Sequence, residues 1–114
     1  TTYDRDPDFR WRIADAALAL DALAPQLESL AADVDGLVNH GPNWFRYLTG
    51  AKHRATETGR YVVDQAMRSA GGGGYRTASE LSRLQRDVLA GIYHPSDTES
   101  VHNTVATNLL GPLA

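Results

Sequence analysis

The apolar positions Phe9, Ile13, Ala16, Leu20, Leu23, Leu27, Leu30, Val34 and Leu37 follow one another in alternating steps of four and three. A strand, with its period of two, would scatter them over both faces; a helix gathers them on one side, with the repeat of a coiled-coil seam. Asp6-Pro7 suits the start of that helix, because aspartate caps free amides and proline at the first helical position forfeits no hydrogen bond. Pro25 is at odds with the stripe. It removes one bond and crowds the carbonyl of Asp21, which predicts a kink or a break into two segments.

Gly41-Pro42 marks a turn and a fresh start, and Trp44, Leu48, Ala51, Ala55, Thr58, Val62 and Ala66 predict a second helix over about 42–70. Ala51, Ala55 and Gly59 are small enough to let another helix approach closely. Thr77 and Glu80 have the spacing of a capping box, followed by a third helix through Leu81, Leu84, Val88 and Leu89 to about Tyr93. Ser96 and Glu99 repeat the spacing after Pro95, and a fourth helix runs through Val101, Val105 and Leu109 to Gly111-Pro112. No segment sustains a period of two. The expectation is an all-α fold, an antiparallel up-down bundle of four helices joined by short connections, with residues 1–114 forming a single domain.

At 114 residues, one core burying roughly two-thirds of the unfolded surface is expected. The net charge of −3, with eleven Lys and Arg dispersed among fourteen acids, gives no basic patch for nucleic acid. Without cysteine there is no disulfide, thiolate metal site or cysteine nucleophile. No apolar run approaches the roughly 18 residues of a membrane span, and TTYDRDPDFRWR carries no signal-type segment, so a soluble, cytoplasmic protein with no membrane partner is expected.

Gly71, Gly72, Gly73 and Gly74 stand between the second and third helices. One glycine would suffice to stop a helix, so the run points to a mobile loop or a backbone that must stay bare. It lacks the Lys-Ser/Thr of a Walker loop and follows a helix where a Rossmann fingerprint follows a strand. A bare turn ahead of a helix N-terminus still suits a phosphate or pyrophosphate. His40, His53, His94 and His102 form no i, i+3 or i, i+4 pair, so no metal site is expected. His94, beside Pro95 at a helix junction, is placed to face a pocket. Arg86-Asp87 reads as a solvated or capping pair, and no serine, histidine and carboxylate grouping can be assembled.

The glycine turn ending in an aromatic residue (Gly71 to Tyr75), the segment Leu81, Leu84, Arg86, Asp87 at its downstream spacing, and the junction from His94 to Asp97 occur in the order seen in the C-terminal helical domain of the acyl-CoA dehydrogenase superfamily. The chain resembles that domain over nearly its whole length, beginning after the family's first C-terminal helix. The resemblance implies a C-terminal fragment of a larger flavoprotein, inactive alone, which contributes to binding of FAD (or FMN) and to self-association as a dimer or tetramer. By position, Arg68, Gly71 and Gly72 would lie against the adenosine diphosphate part of a flavin held largely by a neighbouring subunit; the dehydrogenases usually have glutamine where Arg68 stands. Asp97 joins these cofactor-facing candidates at the junction, although a simpler reading makes Asp97 and Glu99 the first residues of the last helix.

The family commonly places its catalytic glutamate where Pro95 stands here, and proline cannot accept a proton. Two accounts follow. Some dehydrogenases carry the base on an earlier helix; alternatively, Tyr93-His94-Pro95 resembles the flavin-dependent monooxygenase branch, in which His94 would assist the reaction of reduced flavin with oxygen or position an aromatic substrate. The implied substrate is accordingly an acyl-CoA or an aromatic compound, with the monooxygenase branch slightly ahead. A free-standing helical interaction module, using the 9–37 stripe to bind another helix, is the alternative from a different class.

Overall fold

The computed structural model describes residues 5–76, 79–94 and 97–113. Among the described residues four α-helices follow in order: α1 (Pro7–Asp35), α2 (Asn43–Ala70), α3 (Glu80–Tyr93) and α4 (Thr98–Leu110), with a short 3-10 turn, Gly71–Tyr75, between α2 and α3. No strand occurs among the described residues, and the all-α four-helix expectation holds. Asp6 caps α1 by accepting from the amides of Asp8 and Phe9, with Pro7 in the first turn. Asp97 caps α4 through the Ser100 amide at 2.9 Å, while Thr77 and Ser96, the residues of the two expected capping boxes, lie outside the described residues.

Pro25 does not break α1, which continues unbroken to Asp35. Both Pro25 and Asp21 are exposed, so the carbonyl that loses its partner is not sealed in a dry interior.

The second helix is the common partner of the other three. Pairs along α1 and α2 run in opposite directions: Arg12 donates to the Arg68 carbonyl, Tyr61 to Asp15, Arg54 to Gln26 and His40 to Asp33. The third helix is antiparallel to α2, with Gly59 against Val88 and Thr56 against Gly91. Contacts of His53 with His102 and of Asn43 with Asn108 carry α4 in the same sense as α3, along the first half of α2. Three rods result, α1, α2 and α3 followed by α4, so the expected up-down alternation holds through α3 and fails at α4, which continues in the direction of α3 because both pack along α2.

The core between these rods is thin. Ala51 and Val101 are the buried hydrophobic residues among those described, at the α2–α4 crossing, beside Gly50. The principal extents are 58 × 26 × 24 Å, and the radius of gyration is 17.5 Å, against about 13 Å for a compact chain of this length. The long apolar stripe of α1 is split by its docking. Ala16, Leu23 and Leu30 are half-buried towards α2, whereas Ile13, Leu20, Leu27 and Val34 remain 40–50% exposed. Ala17, Ala24 and Ala31 alternate with these exposed positions, giving an uncovered seam in which large and small apolar side chains take turns.

Candidate functional site

The glycine turn begins where α2 must stop. Gly71 takes φ +66°, in the left-handed region open to glycine, and its amide donates to the Met67 carbonyl. A Cβ built on Gly71 or Gly72 would meet nothing within 4 Å, so both present bare backbone to open space. Gly74 serves a different end. It is buried, and a Cβ there would lie 3.2 Å from the Ala70 Cβ and 3.4 Å from the Met67 sulfur, so it lets the turn fold against the last turn of α2.

Arg68 stands one turn before the glycines on an exposed face. Its Nε donates to Asp64 Oδ2 at 2.8 Å, an i, i+4 pair. An anion at this turn would share the guanidinium with Asp64, which leaves donors for a phosphate but lowers the local positive potential. The bare backbone of Gly71 and Gly72 and the remaining donors of Arg68 are the features an anion could use here, the Gly71 amide itself being bonded to Met67.

The second candidate region is the junction between α3 and α4. His94 ends α3 in an extended conformation (φ −67°, ψ 136°), with its amide bonded to the Ala90 carbonyl and its side chain exposed. Asp97 is spent on capping α4, as its reading as a first-turn residue predicts. Pro95, which the resemblance sets at the position of the family's usual glutamate, lies outside the described residues. Sequence reasoning missed Lys52, whose Nζ crosses from α2 to donate to the carbonyls of Gly91 at 2.8 Å and His94 at 2.6 Å. No spacing rule links positions so far apart in the chain.

The two regions are not brought together. Lys52 marks the level of the junction on α2, and Arg68 is sixteen residues further along that helix, about 24 Å at the helical rise. Arg86 and Asp87 do not pair with each other: Arg86 donates to Ser82, and Asp87 accepts from Arg83 at 2.8 Å. Arg83 also clamps Glu80 in the first turn of α3, and this hydrogen bond and charge hold the Glu80 carboxyl below its ordinary value of 4.5.

The other histidines take local roles. His40 Nε2 donates to Asp33 at 2.8 Å between the edges of Trp44 and Tyr47, pinning the α1–α2 turn. His53 and His102 meet across α2 and α4 with ring centroids 5.3 Å apart, a pairing hidden from any helical spacing. Among the described residues no group of three or more His, Cys, Asp or Glu could hold a metal ion, and no helix is long and apolar enough to cross a membrane.

The family model for the acyl-CoA dehydrogenase C-terminal domain matches residues 1–97. A relative in Bacillus subtilis (strain 168), named "Putative acyl-CoA dehydrogenase YdbM", is 35% identical over 65 residues, a match spanning 57% of this chain and 17% of that protein. No solved structure matches. With its four-helix order, its glycine-stopped α2 and this family match over most of its length, the chain belongs to the acyl-CoA dehydrogenase C-terminal domain family.

Proposed function

We propose that the chain works as the C-terminal helical domain of a flavin-dependent oxidoreductase, contributing to flavin binding and to a dimeric or tetrameric assembly. The observation that carries this reading is uncovered apolar surface. The chain exposes 8201 Å², where a compact monomer of 12.4 kDa would expose about 6,100 Å². The excess, roughly 2,000 Å² of polar and apolar surface together, is more than two standard interfaces need from one partner. Trp11, Leu18, Phe45 and Tyr93 add to the seam on α1. Surface of this kind is normally covered by further domains or subunits.

In this reading the glycine turn receives the pyrophosphate of FAD bound across a subunit boundary. Gly71 and Gly72 allow close approach and Arg68 supplies charge, while the flavin, when bound, supplies the redox chemistry. A pyrophosphate contact applies to FAD alone; FMN would leave the glycine turn without a role in binding. His94 is the residue at the junction to test for positioning an aromatic substrate in a monooxygenase; a dehydrogenase acting on an acyl-CoA would take its base from elsewhere. The free-standing interaction module draws on the same seam and differs in needing no flavin.

The full-length protein, purified and examined for flavin absorption, separates the two. Copurifying flavin, weakened at least tenfold in retention by Arg68→Glu, supports the oxidoreductase reading. A protein that never binds FAD or FMN sinks it, and unchanged retention in Arg68→Glu returns the glycines to turn geometry alone.

A further inference from the structure

We propose that Lys52 is the positioning residue of the α3–α4 junction, setting the direction in which the His94 side chain leaves the backbone. Its functional consequence rests on the reading of that junction as part of the flavin site.

The last turn of α3 contains no basic residue of its own to answer its free carbonyls. The ammonium comes instead from the neighbouring helix: Lys52 Nζ bonds the Gly91 carbonyl within the last turn and the His94 carbonyl just beyond it. A cation at a helix C-terminus is favoured by the dipole, and each bond is charge-assisted. One ammonium therefore ties the end of α3 and the first residue after it to a third element, α2. The span is short because the helices approach closely here. A Cβ on Gly91 would fall 2.6 Å from the Thr56 side chain, one turn along α2 from Lys52, so the missing side chain lets α3 settle within reach of the amine.

Downstream, Asp97 fixes the start of α4 through Ser100. A polar clamp thus holds His94 on one side of the junction and another holds Asp97 on the other. Lys52 acts through the backbone and has no part in bond making; it holds the peptide from which the His94 imidazole projects. Methionine keeps the length of the lysine stem but has no donor, leaving the two carbonyls to water.

The test is hydrogen exchange on the full-length protein, read on peptides spanning residues 88–100. Lys52→Met is expected to speed exchange of the Ile92, Tyr93 and His94 amides about tenfold, while peptides from 58–70 of α2 keep wild-type rates. Lys52→Arg, which keeps the charge, should restore most of the protection. Junction exchange within about twofold of wild type in a folded Lys52→Met protein overturns the proposal, as does equal loosening throughout α2. Should Lys52→Met fail to fold, Lys52→Gln, with a shorter neutral donor, must give junction exchange between wild type and fully loosened, or the proposal fails. Turnover of the flavin-loaded protein then addresses the underlying reading separately. A fall in kcat at unchanged KM in Lys52→Met, rescued by arginine, places the junction in the reaction. Loosened amides with unaltered turnover would leave Lys52 as the anchor of the junction and remove the junction from the chemistry.

Discussion

Gly91→Ala should destabilise the domain even though it improves the intrinsic helicity of α3. Replacing a helical glycine by alanine is worth up to about 1 kcal/mol in favour of the folded helix, and Gly91 lies in the last turn of α3. Here the new methyl would lie 2.6 Å from both Thr56 Cγ2 and Oγ1 and 3.1 Å from its Cβ. Rotation of Thr56 offers little relief, because both branches crowd the site and its hydroxyl donates to the Lys52 carbonyl at 2.9 Å. The helices must then separate, and overpacking of this kind costs about 1–3 kcal/mol, a net loss of up to about 2 kcal/mol against the full helical gain. In a Thr56→Ala background the obstructing atoms are gone and the same substitution should stabilise by up to about 1 kcal/mol. Urea unfolding followed by helical circular dichroism, run as a double-mutant cycle, measures both numbers and cancels the cost of Thr56→Ala itself. If Gly91→Ala stabilises equally with and without Thr56, the close approach of α2 and α3 is not a constraint, and the argument for the reach of Lys52 weakens with it.

Leu20→Lys places a charge on the exposed seam of α1 and should leave helix content within a tenth of wild type while reducing assembly of the full-length protein; sedimentation velocity reads the outcome, and an unchanged oligomer would show that the seam is not an interface. Glu80, lowered chiefly by its hydrogen bond to Arg83, stabilises α3 at pH above its ordinary value of 4.5, and that contribution is lost as pH falls through the depressed value. NMR titration should therefore find the Glu80 carboxyl below 4.5, and Arg83→Gln should return it towards that figure; no movement would mean that the ion pair is not populated in solution.

Signals carried by neighbouring residues were legible in the sequence. Asp6-Pro7 opens α1, Gly71 closes α2 and Gly111 closes α4, because caps and stops are decided within a few residues. The small stretch of α2 was rightly read as a place of close approach, with Gly59 near Val88. Pro25 misled in part: its local cost is real, but a long helix docked along one side absorbs it when the proline faces outward. Which half of the apolar stripe would be covered could not be read, because polar pairs such as Gln26 with Arg54 and Asp33 with His40 rotate α1 on α2. In the candidate site the composition of the glycine turn was accessible, whereas His94, expected to face a pocket, has an exposed side chain. The engagement of Arg68 by Asp64 is visible in the sequence as an i, i+4 spacing, whereas the contribution of Lys52 depends on helix–helix distance alone.

The bare seam on α1 also bears on what kind of quantity this domain's stability is. None of the residues of α1 is buried, so its 29 residues draw little from one copy of the domain, and an isolated helix gains little from propensity alone. If the seam is an interface, as proposed, its partner binds the folded form in preference to the unfolded one, and the folded population then rises with the amount of that partner present. A melting temperature measured on a dilute sample will describe the dilution as much as the sequence.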